Sequence, residues 1–416
     1  MWPAKRLDFA PEDWMAALGA CLAPGSSAQA AATLERFWAP AGDGIAGLSV
    51  RSLFDAYLAA QGWGSGDRIV FTAITVGDMP RIARDRGLEV ASVDLHRATT
   101  EPDPAALAAA LAPNARAFVF THLYGARVDT TAARALCRAR GVLFIEDCAE
   151  AYAGPAWRGH PESDVALFSF GPIKTATAFG GGMARVADRA VRARMRAVAA
   201  EWPEQPRGQY FTKVLKYGLL GLGGIPWVFG LAVRLADRFG PGHDALMQKL
   251  TRGFAGPDFF GQIRRRPCGP LLRVLERRLR QGDAPVRRRI AAGERLVGAL
   301  QGEPVPAGSA RPHAFWLVPV ESDDPAGLVA RLEGAGYNAT RGRAFAVVEN
   351  DPGVDVPAPS EARALHERVV FLPFSPEMEG DVLDELASLT RRRSSTREGS
   401  APDSPAPSPR SDPRSS

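Results

Sequence analysis

Lysine is scarce in this 416-residue chain. Of its 51 basic side chains only five are lysines, at positions 5, 174, 213, 216 and 249; the rest are arginine. Arginine stays charged at any working pH and is a poor nucleophile, so each surviving amine is a place to look for chemistry. Cysteine is thin as well. Cys21, Cys137, Cys148 and Cys268 are too few and too widely spaced for a disulfide framework or a zinc pattern, and they fit a reducing cytosol. No His/Cys/Glu grouping has metal-ligand spacing, so no metal is expected. The opening MWPAKRLDFAPEDW lacks an apolar signal run after its charges, which argues against export. Heptads, glycine-every-third patterns and internal repeats are missing, which excludes fibrous and solenoid architectures. No G-x-G-x-x-G follows the first predicted strand with an acidic residue about 20 positions on, which disfavours a nicotinamide enzyme.

What is present suits a large folded chain. Apolar residues make up 46% and charged residues 23% of the chain, enough for an extensive core and for two to three domains of about 150 residues each. The net charge is +5. The arginine clusters at 264–266, 277–278, 287–289 and 391–393 have no interleaved aromatics, so they read as solvated faces and no nucleic-acid partner is expected.

Residues 45–190 alternate β-rich runs with Ala/Leu/Arg helical stretches. Strands are expected at Arg68–Ile74, Glu89–Leu95, Ala115–His122, Gly141–Asp147, Val165–Phe170 and Met183–Val186, with helices at 50–62, 78–87, 104–112 and 130–140. Asp103-Pro104 supplies the cap and first turn of the third helix. Runs such as AFVFT and VLFIE are apolar on both faces, as a sheet covered on both sides requires. The expected class is α/β, a mostly parallel seven-stranded sheet covered by helices, followed by a smaller C-terminal α+β domain. That domain would contain a helix from about 285, a strand AFWLVPV (314–320), a helix at 324–336, the run VVFLPF (369–374) and a last helix at about 380–391.

Between them lies a different texture. The stretch YGLLGLGGIPWVFGLAV (217–233) carries no charge and is flanked by Lys213, Lys216, Arg234 and Arg238. It is short for a membrane span and is interrupted by five Gly and Pro226, so a subunit-interface or core element is favoured over an interfacial membrane-docking element, and both over a spanning helix. From Arg391 onward the chain has only Ala as an apolar residue and reads as a disordered tail. The division expected is therefore an N-terminal helical segment (1–40), a large α/β domain (41–200), the apolar and basic insertion (201–283), the small domain (284–391) and the tail (392–416).

The informative block is FIEDCAEAYAGPAWRGHPESDVALFSFGPIKTATAFGGGMARVAD (144–188). Asp147 ends an apolar strand, where α/β sheets present side chains to a ligand crevice. Ser169 ends the next strand, Lys174 follows on a Gly/Pro loop, and Gly180-Gly181-Gly182 opens another strand. Together these fit a site for pyridoxal 5'-phosphate (PLP). That cofactor needs an amine to form an imine, a carboxylate to keep its pyridine nitrogen protonated, and hydroxyl or N–H donors for its phosphate. His122 and His313, one at a strand end and one in a turn, read as packed structural histidines.

The segments IEDCAEA (145–151), FSFGPIK (168–174) and FGGGM (179–183) resemble the DegT/DnrJ/StrS family of nucleotide-sugar aminotransferases, PLP enzymes of fold type I. The likeness extends through GWGSGDRIVF (62–71), GLEVASVDL (87–95), FVFTHLYGARVD (118–129) and the late LPF (372–374). It implies that Asp147 pairs with the pyridine nitrogen, that Ser169 holds the phosphate, and that Lys174 is both the cofactor-bearing residue and the proton shuttle. Relatives with lysine there are mostly aminotransferases, whereas the sugar-dehydratase branch carries histidine. The family's Ser-Gly-Thr phosphate loop corresponds to Ser49-Val50-Arg51, where Val lacks glycine's freedom to take positive φ and Arg51 is an alternative phosphate contact. The ring-stacking aromatic corresponds to Val76, and the Gln after the cofactor Asp corresponds to Glu150, a charge that needs its own partner.

The resemblance implies a homodimeric aminotransferase moving an amino group from an amino acid to a keto-sugar or related carbonyl, in polysaccharide or glycolipid biosynthesis. It would be cytoplasmic, with peripheral contact to the inner membrane face through 217–233. The alternative is a catalytically reduced, membrane-associated relative acting as a binding or scaffold protein.

Overall fold

A computed structural model describes residues 1–391 apart from 225, 228, 231–253, 255, 256, 343 and 344. The tail expected at 392–416 and the part of the insertion from 231 to 253 lie outside the described residues.

Two helices open the chain, α1 (Pro11–Leu22) and α2 (Ser27–Trp38). Asp13 accepts the Ala10 N–H at 3.1 Å, and Ser26 caps α2 by accepting the Gln29 N–H. The main sheet then builds from β1 (Gly44–Gly47), β2 (Arg68–Thr72), β4 (Glu89–Val93), β5 (Ala115–Thr121), β6 (Leu143–Asp147), β7 (Val165–Ser169) and β8 (Gly182–Val186), with the two-residue β3 (Ile74–Thr75) outside it. Its order is β1-β8-β7-β6-β5-β2-β4. All pairs from β7 to β4 are parallel, and β8 runs antiparallel to both its neighbours. Connecting helices are α3 (Val50–Gln61), α4 (Asp78–Asp85), α5 (Pro104–Ala110) and α6 (Thr131–Ala139), followed by α7 (Arg189–Ala200) and α8 (Arg207–Gly223). Asp103 caps α5 through the Ala106 N–H at 2.7 Å, as its sequence predicts.

The strands bury both faces. Ile69, Phe71, Val119, Ile145 and Leu167 pack against Phe54 and Tyr57 of α3, Ile82 of α4 and Met195 of α7. Val70, Phe118, Phe120 and Phe144 pack the opposite face with Leu107 of α5 and Cys137 of α6. The α/β class read from the sequence, a mostly parallel sheet covered by helices, is the observed one.

A second core surrounds the antiparallel pair β9 (Val318–Glu321) and β11 (Val369–Leu372), with Leu296, Leu328, Leu332, Leu383 and Leu386 supplied by helices Ala284–Ala299, Pro325–Gly334 and Gly380–Thr390. A shorter pair joins β3 to β10 (Ala346–Val347).

Four expectations need correction. The strand read over 314–320 begins only at Val318; Ala314, Phe315 and Trp316 are buried in a connection, with Phe315 at φ +46°. The strand read over 68–74 breaks at Ala73, and Ile74 pairs instead with Val347. β1 was not expected. The arginine clusters are not uniformly solvated: Arg278 is buried against Asp13, Arg289 is buried, and Arg264 pairs with Asp55 and Asp85.

Candidate active site

The carboxyl ends of β2, β5, β6 and β7 converge where ligands bind in open α/β sheets. Asp147, at the end of β6, is 3% exposed, and its Oδ1 accepts the Ala149 N–H at 3.0 Å. Burial raises its pKa, opposed by that hydrogen bond and by the charges of Lys174 and Arg51.

Lys174 lies on the loop between β7 and β8. Its Nζ is 3.2 Å from Glu150 Oε1, and Glu150 Oε2 accepts the Tyr124 N–H at 2.9 Å. The charge that needed a partner therefore has one. Burial pulls both groups toward neutrality, lowering Lys174 and raising Glu150, while their mutual attraction works the other way. Lys174 Nζ also stands 3.7 Å from the centroid of the Trp316 ring, whose Nε1 donates to Ile173 O at 3.0 Å. The backbone that delivers Trp316 passes so close to Gly125 (φ +101°) that a Cβ there would sit 2.6 Å from the Trp316 nitrogen. Only glycine fits.

The lysine loop is pinned from outside. Ala176, at φ +53°, donates its N–H to Asp8 Oδ2 at 2.7 Å, and Arg278 Nε donates to Thr177 O at 3.1 Å. Arg278 also holds the Asp8 carbonyl, at 2.6 Å.

The phosphate-side residues gather at the start of α3. Ser49 is extended, at φ −167°, and caps the helix by accepting the Ser52 N–H at 3.1 Å. Val50 is the first helical residue, so the position needs no positive φ and the loss of glycine costs nothing in backbone geometry. Gly182 pairs with Ser169 in the β7–β8 ladder, and a Cβ on it would meet Ser49 C and Val50 N at 2.9 Å. The glycine lets the strand pass close against the helix N-terminus, whose first N–H groups are the kind of donor an anion takes. Arg51 Nε is committed to Asp78 Oδ2 at 2.5 Å. That bond ties the helix start to the turn carrying Val76, which is half-buried at the end of β3.

The residue types match what PLP requires. Asp147 is a buried carboxylate with a backbone N–H but no side-chain hydrogen bond among the described residues. Lys174 is a largely enclosed amine, its side chain 13% exposed, and Gly182 lets β8 pass close to the first turn of α3.

The histidines are packed. His122 Nδ1 accepts the Val128 N–H, leaving its Nε2 to face Glu146 Oε1 at 3.2 Å. His122, Glu146 and Cys148 bring ligand-type atoms within 4.8 Å of one another, yet Glu146 also accepts the His160 N–H at 2.6 Å, and burial keeps the Cys148 thiol protonated. His313 Nδ1 accepts the Phe315 N–H at 2.8 Å, and burial with Arg311 nearby lowers its pKa to about 3. Sequence reasoning passed over Trp316, Asp8, Arg278 and Lys5. The only signal for Lys5 was its rarity as a lysine.

The fold is of the PLP fold type I kind. Residues 48–237 match the model of the DegT/DnrJ/EryC1/StrS aminotransferase family. It is 32% identical over 166 residues to an L-glutamine:2-deoxy-scyllo-inosose aminotransferase of Streptomyces kanamyceticus; the match covers 39% of this chain and 37% of that protein. In fold it resembles the aminotransferase TlmJ of Streptoalloteichus hindustanus, with TM-score 0.69, 20% identity and coverage of 93% of this chain and 97% of that one. It also resembles the sugar aminotransferase CalS13 of Micromonospora echinospora, with TM-score 0.65, 21% identity and coverage of 94% and 99%.

Proposed function

We propose that this chain is a PLP-dependent aminotransferase that moves an amino group from an amino acid to a keto-sugar or related carbonyl acceptor. The observation that carries the reading is a largely enclosed amine, Lys174, held by Glu150 in the crevice that also contains the buried carboxylate of Asp147. PLP, when bound, supplies an aldehyde that captures the amine and a ring that withdraws electrons from the substrate carbon.

The chain's own residues have separable roles. Asp147 keeps a proton on the ring nitrogen. Ser49, Ser169 and the first N–H groups of α3 receive the phosphate, with Arg51 beside them. Val76 covers a ring face without a stacking contribution. Lys174 would anchor the cofactor, and its amine is the group placed to move the proton at the donor's α-carbon. Glu150 holds Lys174 in place and, through the Tyr124 N–H, ties it to the β5–α6 connection.

We read residues 41–200 as the cofactor-holding unit and 284–391 as the smaller domain of this enzyme, in polysaccharide or glycolipid biosynthesis in the cytoplasm. No described helix is long and apolar enough to cross a membrane. Phe211, Leu215, Leu219 and Leu222 form one exposed stripe along α8, and Trp227 is 73% exposed beyond it. This stripe supports a contact role for the insertion. We assign it to the second subunit of a homodimer, with a lipid surface as the competing occupant. Sedimentation of Leu219→Ser/Leu222→Ser protein reads the first, and flotation with anionic liposomes the second.

The test of the activity is spectroscopic. Adding PLP produces a visible band that borohydride bleaches, leaving a fixed adduct on the peptide containing Lys174. Lys174→Ala abolishes the band and Lys213→Ala keeps it. A wild-type protein with no band supports the scaffold alternative.

A further inference from the structure

The first ten residues run as a strap across the site. Trp2 pairs with the 336–338 segment, its N–H donating to Gly336 O at 2.7 Å and its carbonyl accepting the Asn338 N–H at 2.9 Å. Asp8 then reaches the lysine loop at Ala176. Between these anchors Lys5 turns inward. Its Nζ lies 3.5 Å from the centroid of the Trp316 ring and donates to the Trp316 carbonyl at 3.0 Å. Lys174 occupies the same ring at 3.7 Å, so the two nitrogens are separated by no more than those two distances together. The only two long-chain amines in the first half of the sequence meet on one indole.

A third cation adds to the positive field at Lys5. Arg289, on helix Ala284–Ala299, is 5% exposed, and its Nη1 is buried without a hydrogen-bond partner. Among the described residues no carboxylate forms an ion pair with Arg289 or with Lys5. The acids that face the group are already engaged: Glu150 by Lys174 and the Tyr124 N–H, and Asp8 by the Ala176 N–H and Arg278. Burial, Arg289 and Lys174 together lower the pKa of Lys5, while Glu150 and Asp8 only oppose this. A guanidinium cannot shed its proton to escape such a position. A buried cation without a counter-charge is strongly unfavourable, which points to an anion that arrives from outside.

We propose that Lys5 and Arg289 form a carboxylate subsite beside Lys174 that receives the acid group of the amino donor. The assignment rests on the aminotransferase reading above. It favours the donor over a sugar-linked phosphate because of distance: one carbon separates the amine and carboxylate of an α-amino acid, and the amine must come to the position of Lys174. A guanidinium and an ammonium offer the fork and the point charge that a carboxylate takes well.

The test is a calorimetric titration of the purified protein with glutarate, repeated with inorganic phosphate. Lys5→Gln and Arg289→Gln each weaken glutarate at least tenfold, the scale of losing one charge-assisted contact. Lys5→Arg recovers most of the loss, and phosphate affinity moves less than twofold in all variants. In turnover, the donor KM rises with kcat little changed, as expected for a contact kept throughout the reaction. Unaltered glutarate affinity in Lys5→Gln, or no glutarate binding by the wild type, overturns the subsite. A loss confined to phosphate transfers it to a phosphate and overturns the carboxylate assignment. Arg289→Gln is scored only if its far-ultraviolet spectrum is native, whereas Lys5, on the strap, is decisive alone. The titration does not depend on cofactor capture, so a failed borohydride trap sinks the activity and leaves the subsite readable.

Discussion

Lys174 Nζ and Glu150 Oε1 stand 3.2 Å apart, and the second Glu150 oxygen is fixed by a backbone N–H, so the carboxylate cannot follow if the amine moves away. Burial lowers the Lys174 pKa, and Glu150 is the largest influence holding it up. Capture of an aldehyde needs the neutral amine, so the capture rate rises with pH through the Lys174 pKa. Removing the negative charge lowers that pKa further. Glu150→Gln therefore shifts the acid limb of PLP capture to lower pH, read by stopped-flow absorbance. A shift to higher pH would contradict the pairing.

Gly182→Ala tests the close approach of β8 to the start of α3. Its Cβ would press on Ser49 C and Val50 N at 2.9 Å, both backbone atoms that cannot step aside cheaply. Overpacking of this kind costs about 1–3 kcal/mol. PLP affinity is expected to fall about tenfold or more, measured by fluorescence titration. Ser49→Ala, which removes a hydroxyl without crowding, is expected to weaken it less.

Asp55 is the structural counterpart of the site charges. It is fully buried on α3 and accepts from Arg86 at 2.7 Å and from Arg264 at 2.8 Å. Its removal leaves the part-buried Arg86 without a carboxylate among the described residues and Arg264 with Asp85 alone. Asp55→Ala is expected to destabilise the fold by about 3–5 kcal/mol, read as a lowered denaturation midpoint. Arg264→Ala alone is expected to cost less, since Arg86 remains.

His313 makes stability depend on acidity. Its folded pKa, about 3, lies below the ordinary 6.5, so the folded state binds fewer protons than the unfolded chain between those values. Its contribution is complete above pH 6.5 and is lost progressively as pH falls toward 3. His313→Asn, which can still accept the Phe315 N–H, is expected to flatten the decline in melting temperature between pH 6.5 and 5. An unchanged slope would remove His313 as the cause.

The parts of the site that sequence could reach are those encoded within a few turns of chain. Asp147, Glu150, Ser169 and Lys174 fall within 28 consecutive positions, at or just after the ends of strands whose apolar runs mark them plainly. What escaped lies across large separations: Lys5 meets Trp316 over 311 residues, and Asp8 meets Ala176 over 168. Periodicity carries no information about such pairs. It also misjudged character. Trp316 sits in an apolar run because it is buried, but burial alone does not make a strand, and Arg278 and Arg289 look solvated by type while the fold encloses them. β1 was invisible because GIAG has two glycines and a single β-branched residue.

The Asp8–Ala176 contact has a practical outcome. A version of the protein started at residue 41, with the whole sheet intact, would lack the carboxylate that fixes the left-handed residue two places after Lys174. Such a shortened enzyme would keep every group assigned to the cofactor and still present its amine on a loop that has lost one of its anchors, with Arg278 and Trp316 left to hold it. Truncation at the front would disarm the lysine without altering it.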